Sequence, residues 1–150
     1  MLKGTIKSLT LAAMLTTGAV AANAADYTIR ATANSNENDE DYDGLVVFKN
    51  YVESASNGAI EVELFIGTQL CSKGAECLQG VADGSIDVYI STSGGAAGIF
   101  PYVQVLDLPY LMADDRVAEH VLSGDFTRTV RKMALENSGD KIRLMTIGNT

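Results

Sequence analysis

The fold is decided by residues 60–90, which read IEVELFIGTQLCSKGAECLQGVADGSIDVYI. Residues 60–66 place apolar side chains at every second position, which is the period of a strand with one buried face. Residues 75–81 then carry apolar side chains at helical spacing, and residues 86–90 alternate again. This stretch predicts a strand, a helix and a second strand that together form a β-α-β unit.

The residues on either side extend this pattern. Upstream, Tyr27 to Thr32 predicts a short strand, and a helix is predicted from Asp43 to a stop at Asn57-Gly58. Downstream, residues 91–98 read STSGGAAG, which is too rich in small residues for an ordinary helix. We expect this segment to be either a turn or a place where a ligand approaches the backbone closely.

The remainder of the chain alternates in the same way. Pro101 and Pro109 bracket a segment that we expect to cross the sheet, and helices are predicted over Asp114–Leu122 and Phe126–Asn137. Apolar residues from Ile142 onward predict one more strand. Strands that alternate with helices predict an α/β fold with a mostly parallel sheet flanked by helices.

The N-terminal residues have the composition of an export signal. Lys3 and Lys7 supply a positive segment, residues 9–20 are apolar, and small residues lead up to Ala24. A retained membrane helix is the alternative, but this run is interrupted by polar residues and is shorter than the roughly 20 residues that span a bilayer. We therefore predict a cleaved signal at 1–24, a periplasmic location, and over 25–150 one domain, or part of a larger one, that does not itself span the membrane.

The charge and the cysteine content narrow the function classes. The formal net charge is −8, whereas nucleic-acid-binding proteins concentrate positive charge, so we expect no nucleic-acid partner. The two cysteines, Cys71 and Cys77, predict a disulfide because exported proteins meet an oxidising compartment. A redox or metal pair is disfavoured because five residues separate the cysteines, whereas a redox motif has two.

One acidic motif suggests calcium but is incomplete. Residues 39–44 read DEDYDG, which fits the first half of a calcium loop, but Asn50 stands where the closing glutamate belongs. An acidic turn at the start of the first helix is the better interpretation, since negative charge is favourable there. We find no nucleophile paired with a base, and therefore predict no catalytic residue, no metal and no cofactor.

Two groups of residues are candidates for binding a small anion. Ser91, Thr92 and Ser93 follow a parallel strand at its carboxyl end, where open α/β sheets bind their ligands. Their hydroxyl groups and the backbone amides before Gly94 could hold a carboxylate, although a simple strand-to-helix turn fits equally well. Lys73 could bring a positive charge to the same edge, or could be an ordinary solvated lysine.

Three motifs in combination are more specific than any of them alone. They are GTQL at 67–70, GVADGSID at 80–87 and DLPYL at 107–111. With the export signal, they make the mature chain resemble the DctP-like solute-binding proteins of the tripartite ATP-independent periplasmic (TRAP) transporters. The resemblance implies two lobes that close around an organic acid without converting it, and the present chain is expected to supply the first lobe and to be truncated.

The resemblance also implies a site and a partner. The positions that match by location are Asn34, Lys73 and Thr92 with its neighbours Ser91, Ser93 and Gly94. The partners implied are a small organic acid and the integral-membrane subunits of the transporter, and an arginine that clamps the carboxylate is expected beyond Thr150. A periplasmic ligand-sensing module is the alternative, followed by a secreted calcium-binding protein. The cysteine loop and the acidic first connection depart from the common pattern, so the ligand stays open.

Overall fold

The computed structural model of the protein describes residues 25–148, and the predicted signal segment lies outside the described residues. Helices and strands alternate over most of this range. In chain order the elements are Tyr27–Ala33 (β1), Glu40–Ala55 (α1), Ile60–Ile66 (β2), Gly74–Asp83 (α2), Val88–Ile90 (β3), Ser93–Ala96 (α3), a 3-10 helix at Pro101–Asp107, Asp115–Leu122 (α4) and Asp125–Asn137 (α5).

The three strands form one parallel sheet in the order β2-β1-β3. Tyr27 pairs with Ile60 at the start of the sheet, and Thr32 pairs with Tyr89 near its carboxyl end. The α/β class and the β-α-β unit are therefore confirmed. β2 and β3 lie on opposite sides of β1, so the order of the strands reverses between β1 and β3. Such a reversal is the topological switch point at which open α/β sheets bind their ligands.

Helices cover both faces of the sheet. On one face, Leu45 of α1 packs on Ala31, Ala33 and Val62, and all four residues are buried. On the other face, Leu78 of α2 joins a separate buried cluster with Phe100, Val103, Ala134 and Ile142. The alternation read from the sequence thus places one face of all three strands in the core under α1, whereas Tyr89 of β3 contributes to the core on the other face.

A salt bridge anchors the amino ends of β1 and β3. The Arg30 guanidinium donates to Asp87 Oδ2 at 3.1 Å and to the Gly84 carbonyl at 2.7 Å, and the Arg30 amide also donates to Asp87 Oδ2. Partial burial by itself would raise the pKa of Asp87, but the hydrogen bonds from Arg30 outweigh it and lower that pKa. Asp87 and Gly84 of the GSID motif therefore hold the turn before β3 against β1.

The outer edge of β2 is protected by α1. Lys49 Nζ donates to the Val62 carbonyl at 2.5 Å, and Glu53 Oε1 accepts from the Val62 amide at 3.0 Å. Lys49 and Glu53 also pair with each other at 2.7 Å, and Ser56 accepts from the Ile60 amide. Unpaired backbone groups at a sheet edge invite pairing with another chain, so these side chains block part of that edge.

Two expectations for residues 91–109 are corrected. Residues 93–96 form a one-turn helix, although the sequence is rich in glycine, because Thr92 caps it and Gly95 packs against Gly74. Residues 101–107 form a 3-10 helix that packs beside α3 and places Val103 in the core, where we expected a segment crossing the sheet.

The predicted strand from Ile142 onward is wrong, because residues 141–148 have no regular secondary structure. Ile142 is buried and Leu144 packs beside it, so their apolar character serves packing rather than strand pairing. The segment is held to α5 by Arg131, whose Nε donates to the Leu144 carbonyl at 3.0 Å, and by Ser138. The first helix also begins earlier than predicted, at Glu40.

Candidate ligand-binding edge

The predicted site residues lie at one edge of the sheet, which we call the carboxyl edge. It comprises the residues that follow β1, β2 and β3, together with the starts of α2 and α3. Asn34 follows β1, Lys73 precedes α2, and residues 91–94 follow β3. The topology therefore gathers all six predicted positions, and their role in binding stays a prediction.

Asn34 connects three parts of the carboxyl edge. Its Nδ2 donates to the Cys71 carbonyl at 3.0 Å and, more weakly, to the Gly67 carbonyl at 3.4 Å. Its Oδ1 accepts a hydrogen bond of 2.6 Å from the Tyr89 hydroxyl. Since both carbonyls can only accept, they fix which end of the amide carries nitrogen. Asn34 thus holds the loop after β2 against β1 and β3.

Tyr89 is a member of this edge that sequence reasoning missed. It is half-buried. Desolvation raises the pKa of its hydroxyl most, a hydrogen bond with Ser91 lowers that pKa, and the negative charge of Asp41 raises it, so that the net effect is a rise. The pattern that could have revealed it is its position two residues before Ser91, because alternate strand residues share a face. A tyrosine on the face of the serine cluster was therefore a candidate.

The loop before α2 is fixed by a disulfide and by a glutamate. Cys71 and Cys77 are bonded, with 5.2 Å between their Cα atoms, which confirms the predicted bridge. Glu76 Oε2 accepts from the amide and the hydroxyl of Ser72 at 2.9 and 2.8 Å, and these bonds lower the pKa of Glu76. Lys73 lies between them as an exposed residue, and within residues 25–148 it makes no ion pair.

The segment after β3 is ordered by hydroxyl groups. Thr92 Oγ1 accepts from the Gly95 amide at 3.1 Å and caps α3, while Ser91 donates to the Thr92 carbonyl at 3.0 Å. The Ser93 hydroxyl donates to the Asp107 carboxylate. Gly94 faces open space, since a Cβ built there would meet nothing within 4 Å.

Two glycines bring the starts of α2 and α3 together. A Cβ built on Gly74 would lie 2.7 Å from Gly95 Cα, which is too short for a real side chain, so this position requires glycine. One built on Gly95 would lie 2.9 Å from Ser91 Oγ and 3.2 Å from Thr92 Oγ1, and these hydroxyl groups would have to shift. The contact holds the start of α2, which Lys73 directly precedes, against the start of α3, which Thr92 caps.

A surface depression of about 720 Å³ lies elsewhere, between α1 and the free edge of β2. Its lining includes Tyr42, Lys49 and Glu61 and none of the predicted residues. We favour the carboxyl edge as the candidate binding site. In the depression, Lys49 is already hydrogen-bonded to Glu53 and Val62, and the space is wide open to solvent. A large volume does not by itself supply polar groups that are free to bind a ligand.

Asp39, the first residue of the acidic motif, is engaged by a neighbouring asparagine. Among residues 25–148, no group of three histidine, cysteine or acidic side chains is arranged to hold a metal ion. Asp39 instead accepts hydrogen bonds of 2.8 Å from the amide and the side chain of Asn36.

Within residues 25–148, no helix is both long and apolar enough to cross a membrane.

The chain matches the model of a known protein family. Residues 31–147 match the model of the bacterial extracellular solute-binding protein family 7, DctP. The chain belongs to this family. The match confirms the resemblance to TRAP solute-binding proteins that was read from the three motifs, and it covers every predicted site residue.

Two individual proteins are also similar to the chain. The chain is 27% identical over 118 residues to the 2,3-diketo-L-gulonate-binding periplasmic protein YiaO of Escherichia coli, a match that covers 79% of the chain and 35% of that protein. A TRAP solute-binding protein of Sulfurospirillum deleyianum solved with succinate is 25% identical, with a TM-score of 0.69, over 77% of this chain and 36% of the other.

A second solved structure agrees in fold. It is a TRAP solute-binding protein of Roseobacter denitrificans solved with L-galactonate, 21% identical, with a TM-score of 0.70 and coverage of 77% and 38%. The chain therefore spans between a third and two fifths of the length of these three proteins.

Proposed function

We propose that the protein is the periplasmic receptor of a TRAP transporter, which captures a small organic acid at the carboxyl edge and delivers it to the membrane subunits. The observation that carries this proposal is the family match over residues 31–147, which includes all residues gathered at that edge. The receptor binds its ligand and releases it unchanged. An export signal at residues 1–24 and a location in the periplasm belong to the same proposal.

Lys73 and Thr92 are the groups best suited to a carboxylate. Lys73 is exposed and makes no ion pair within residues 25–148, and the Thr92 oxygen accepts from Gly95, which leaves its hydrogen available. A charged donor and a neutral donor at the same edge of the sheet suit a carboxylate, because charge-assisted hydrogen bonds are the stronger ones. The amino end of α2 adds little further attraction for a carboxylate, because the carboxylate of Glu76 already lies in its first turn.

Capture would act through a shift between conformations. A ligand that binds a closed form more tightly than an open form raises the population of the closed form in proportion to that difference. The membrane subunits would then recognise the closed form. Disruption of the gene should therefore abolish uptake of the ligand by cells, and a copy of the gene should restore uptake. Unimpaired uptake by the disrupted strain would rule out the receptor role.

Binding is tested first by measuring the melting temperature of the complete gene product with a panel of organic acids. The panel contains dicarboxylates, uronates and aldonates, with an uncharged sugar as the control. We expect at least one acid to raise the melting temperature in a concentration-dependent manner, as mass action requires. If no acid does so at millimolar concentration, the proposed function is wrong.

The role of Lys73 is tested by Lys73→Met, which removes the charge and retains the aliphatic stem. For the acid found in the panel, we expect affinity to fall by about 10- to 100-fold, the effect of one charged hydrogen bond. Lys132→Met is the control, because Lys132 lies exposed on α5 and its ion pair within residues 25–148 is with Glu136. An equal affinity for the two variants would exclude Lys73 from the site.

A further inference from the structure

We propose that the Cys71–Cys77 bridge is a reversible redox switch of the loop that carries Lys73. In the oxidised protein the bridge holds residues 71–77, which we call the bridge loop, in one conformation. In the reduced protein the fold persists and this loop is released. The effect on acid binding rests on the proposed function, whereas the change in the loop does not.

The bridge restrains little of the molecule besides this loop. The cysteines are six positions apart, and a disulfide stabilises a fold less when it encloses fewer residues. With Ile86 the two cysteines form a small buried cluster, which is separate from the larger cores on the two faces of the sheet. We therefore expect both cores, and with them the fold, to survive reduction.

Within the bridge loop, the bridge is the strongest restraint. Asn34 donates to the Cys71 carbonyl at 3.0 Å, and the Glu76 carboxylate accepts from Ser72. Ser72 and Glu76 are both exposed, so water competes for the bonds between them. Cleavage of the covalent link therefore leaves the loop held mainly at one point, by Asn34.

The reduced state gains a hydrogen bond that the oxidised state lacks. Cys77 Sγ lies 3.3 Å from Asn34 Oδ1, but a bridged sulfur carries no hydrogen. Reduction places a thiol there, which is a weak donor, and Oδ1 has a second lone pair beside the one that Tyr89 uses. Cys77 is fully buried, so Asn34 satisfies a polar group that would otherwise be left without a partner. The same packing thus accommodates both redox states.

A dithiol reaches the bridge when the loop opens. Cys71 and Cys77 are 4% and 0% exposed, whereas residues 72, 73, 75 and 76 between them face solvent. Local opening of a surface loop requires far less free energy than global unfolding. One thiolate of the dithiol then attacks one sulfur and displaces the other, and its second thiolate resolves the mixed disulfide. Two electrons and two protons pass to the cysteines, and the dithiol leaves as its own disulfide.

Release of the loop weakens the binding of an acid. Lys73 lies between the two cysteines, and a loop that must become ordered at the moment of binding loses conformational entropy. By linkage, a bound acid disfavours reduction of the bridge by the same factor by which oxidation raises the affinity for the acid. The protein is the target of thiol exchange in this scheme, so the spacing that disfavours a catalytic redox pair does not bear on it.

The test follows hydrogen exchange at single amides of the complete gene product, in the oxidised form and after reduction by dithiothreitol. The reporters are the amide of Ser72, which donates to Glu76, and the amide of Cys77, which donates to the Lys73 carbonyl, both at 2.9 Å. The control is the amide of Asp87, which donates to β1 outside the bridge loop. Circular dichroism reports on the fold as a whole.

We expect reduction to leave the circular dichroism spectrum unchanged. Exchange at the two reporter amides should become faster by about 10- to 50-fold, which is what the loss of loop closure predicts for so short a loop. The Asp87 amide should exchange at the same rate in both forms, and re-oxidation should restore the reporters.

A double variant that carries Cys71→Ser and Cys77→Ser is the matched control for the reductant. It should behave like the reduced wild type and should not respond to dithiothreitol. For the acid found in the panel, we expect both the reduced protein and the double variant to bind at least about threefold more weakly than the oxidised protein.

Each part of the inference can be refuted separately. Loss of the circular dichroism spectrum on reduction would make the bridge a structural element, and unchanged exchange at the reporters would show that the loop is held without it. A bridge that resists millimolar dithiothreitol in the folded protein would exclude a switch. Equal affinity of the two forms would refute control of binding. If no acid binds to either form, the proposed function fails, while the exchange rates still decide whether the loop is switched.

Discussion

The contact between Gly74 and Gly95 makes a sharp prediction for the substitution Gly74→Ala. The new methyl group would lie 2.7 Å from Gly95 Cα and 2.9 Å from the Gly95 carbonyl oxygen. Ordinary contacts begin at 3.4 Å, so the starts of α2 and α3 must separate by about 0.7 Å. Backbone atoms cannot rotate away as a flexible side chain can, and overpacking of this kind costs about 1–3 kcal/mol.

The assay is urea denaturation of the complete gene product, followed by circular dichroism without ligand. Gly94→Ala is the control, because Gly94 is helical, lies next to the same contact, and has open space around its Cα. We expect this control to gain up to about 1 kcal/mol from the reduced freedom of the unfolded chain. If Gly74→Ala unfolds at the same urea concentration as Gly94→Ala, the close approach of the two helices is wrong.

Two further substitutions probe the sheet. Asp87→Asn should lower the free energy of unfolding at neutral pH by about 1 kcal/mol, a modest loss because Arg30 and Asp87 are both more than a third exposed. Since folding lowers the pKa of Asp87, its contribution is complete above the unfolded pKa of about 3.9 and is lost as the pH falls through the folded value, so wild type and variant should converge in acid. A loss that persists unchanged at low pH would contradict this cause. Lys49→Ala should expose the Val62 carbonyl at the outer edge of β2 and allow the chain to self-associate with rising concentration, which sedimentation velocity measures. A variant that stays monomeric would show that Glu53 alone prevents pairing at this edge.

The strands of the sheet could be predicted because alternate side chains enter the core under α1, as Val62, Leu64 and Ile66 do in β2. The helix after β2 could be predicted because its apolar residues recur at helical spacing. Ile142 and Leu144 show the same alternation as β2, but no strand pairs with them among residues 25–148, and they pack on α5 instead. Apolar spacing reports burial, whereas strand pairing depends on which backbone lies beside the segment, and local sequence does not contain that information.

The candidate site could be located from sequence, but its hydrogen bonds could not. Asn34, Lys73 and residues 91–94 were placed correctly at the carboxyl edge, because the ends of parallel strands necessarily meet there. That the Asn34 amide is consumed by two backbone carbonyls depends on the path of a loop more than thirty residues away. The helix at 93–96 likewise depends on a glycine contact between distant segments.

The loop from Cys71 to Cys77 is restrained at three places: by the disulfide, by Asn34 and by Glu76. A loop that is ordered before the ligand arrives loses little conformational entropy when it binds. Association should then be governed by diffusional encounter and by the attraction between Lys73 and an anion, and it should slow as salt screens that attraction. Under the proposed function, the disulfide therefore affects how fast the protein binds an acid, as well as how tightly it holds one.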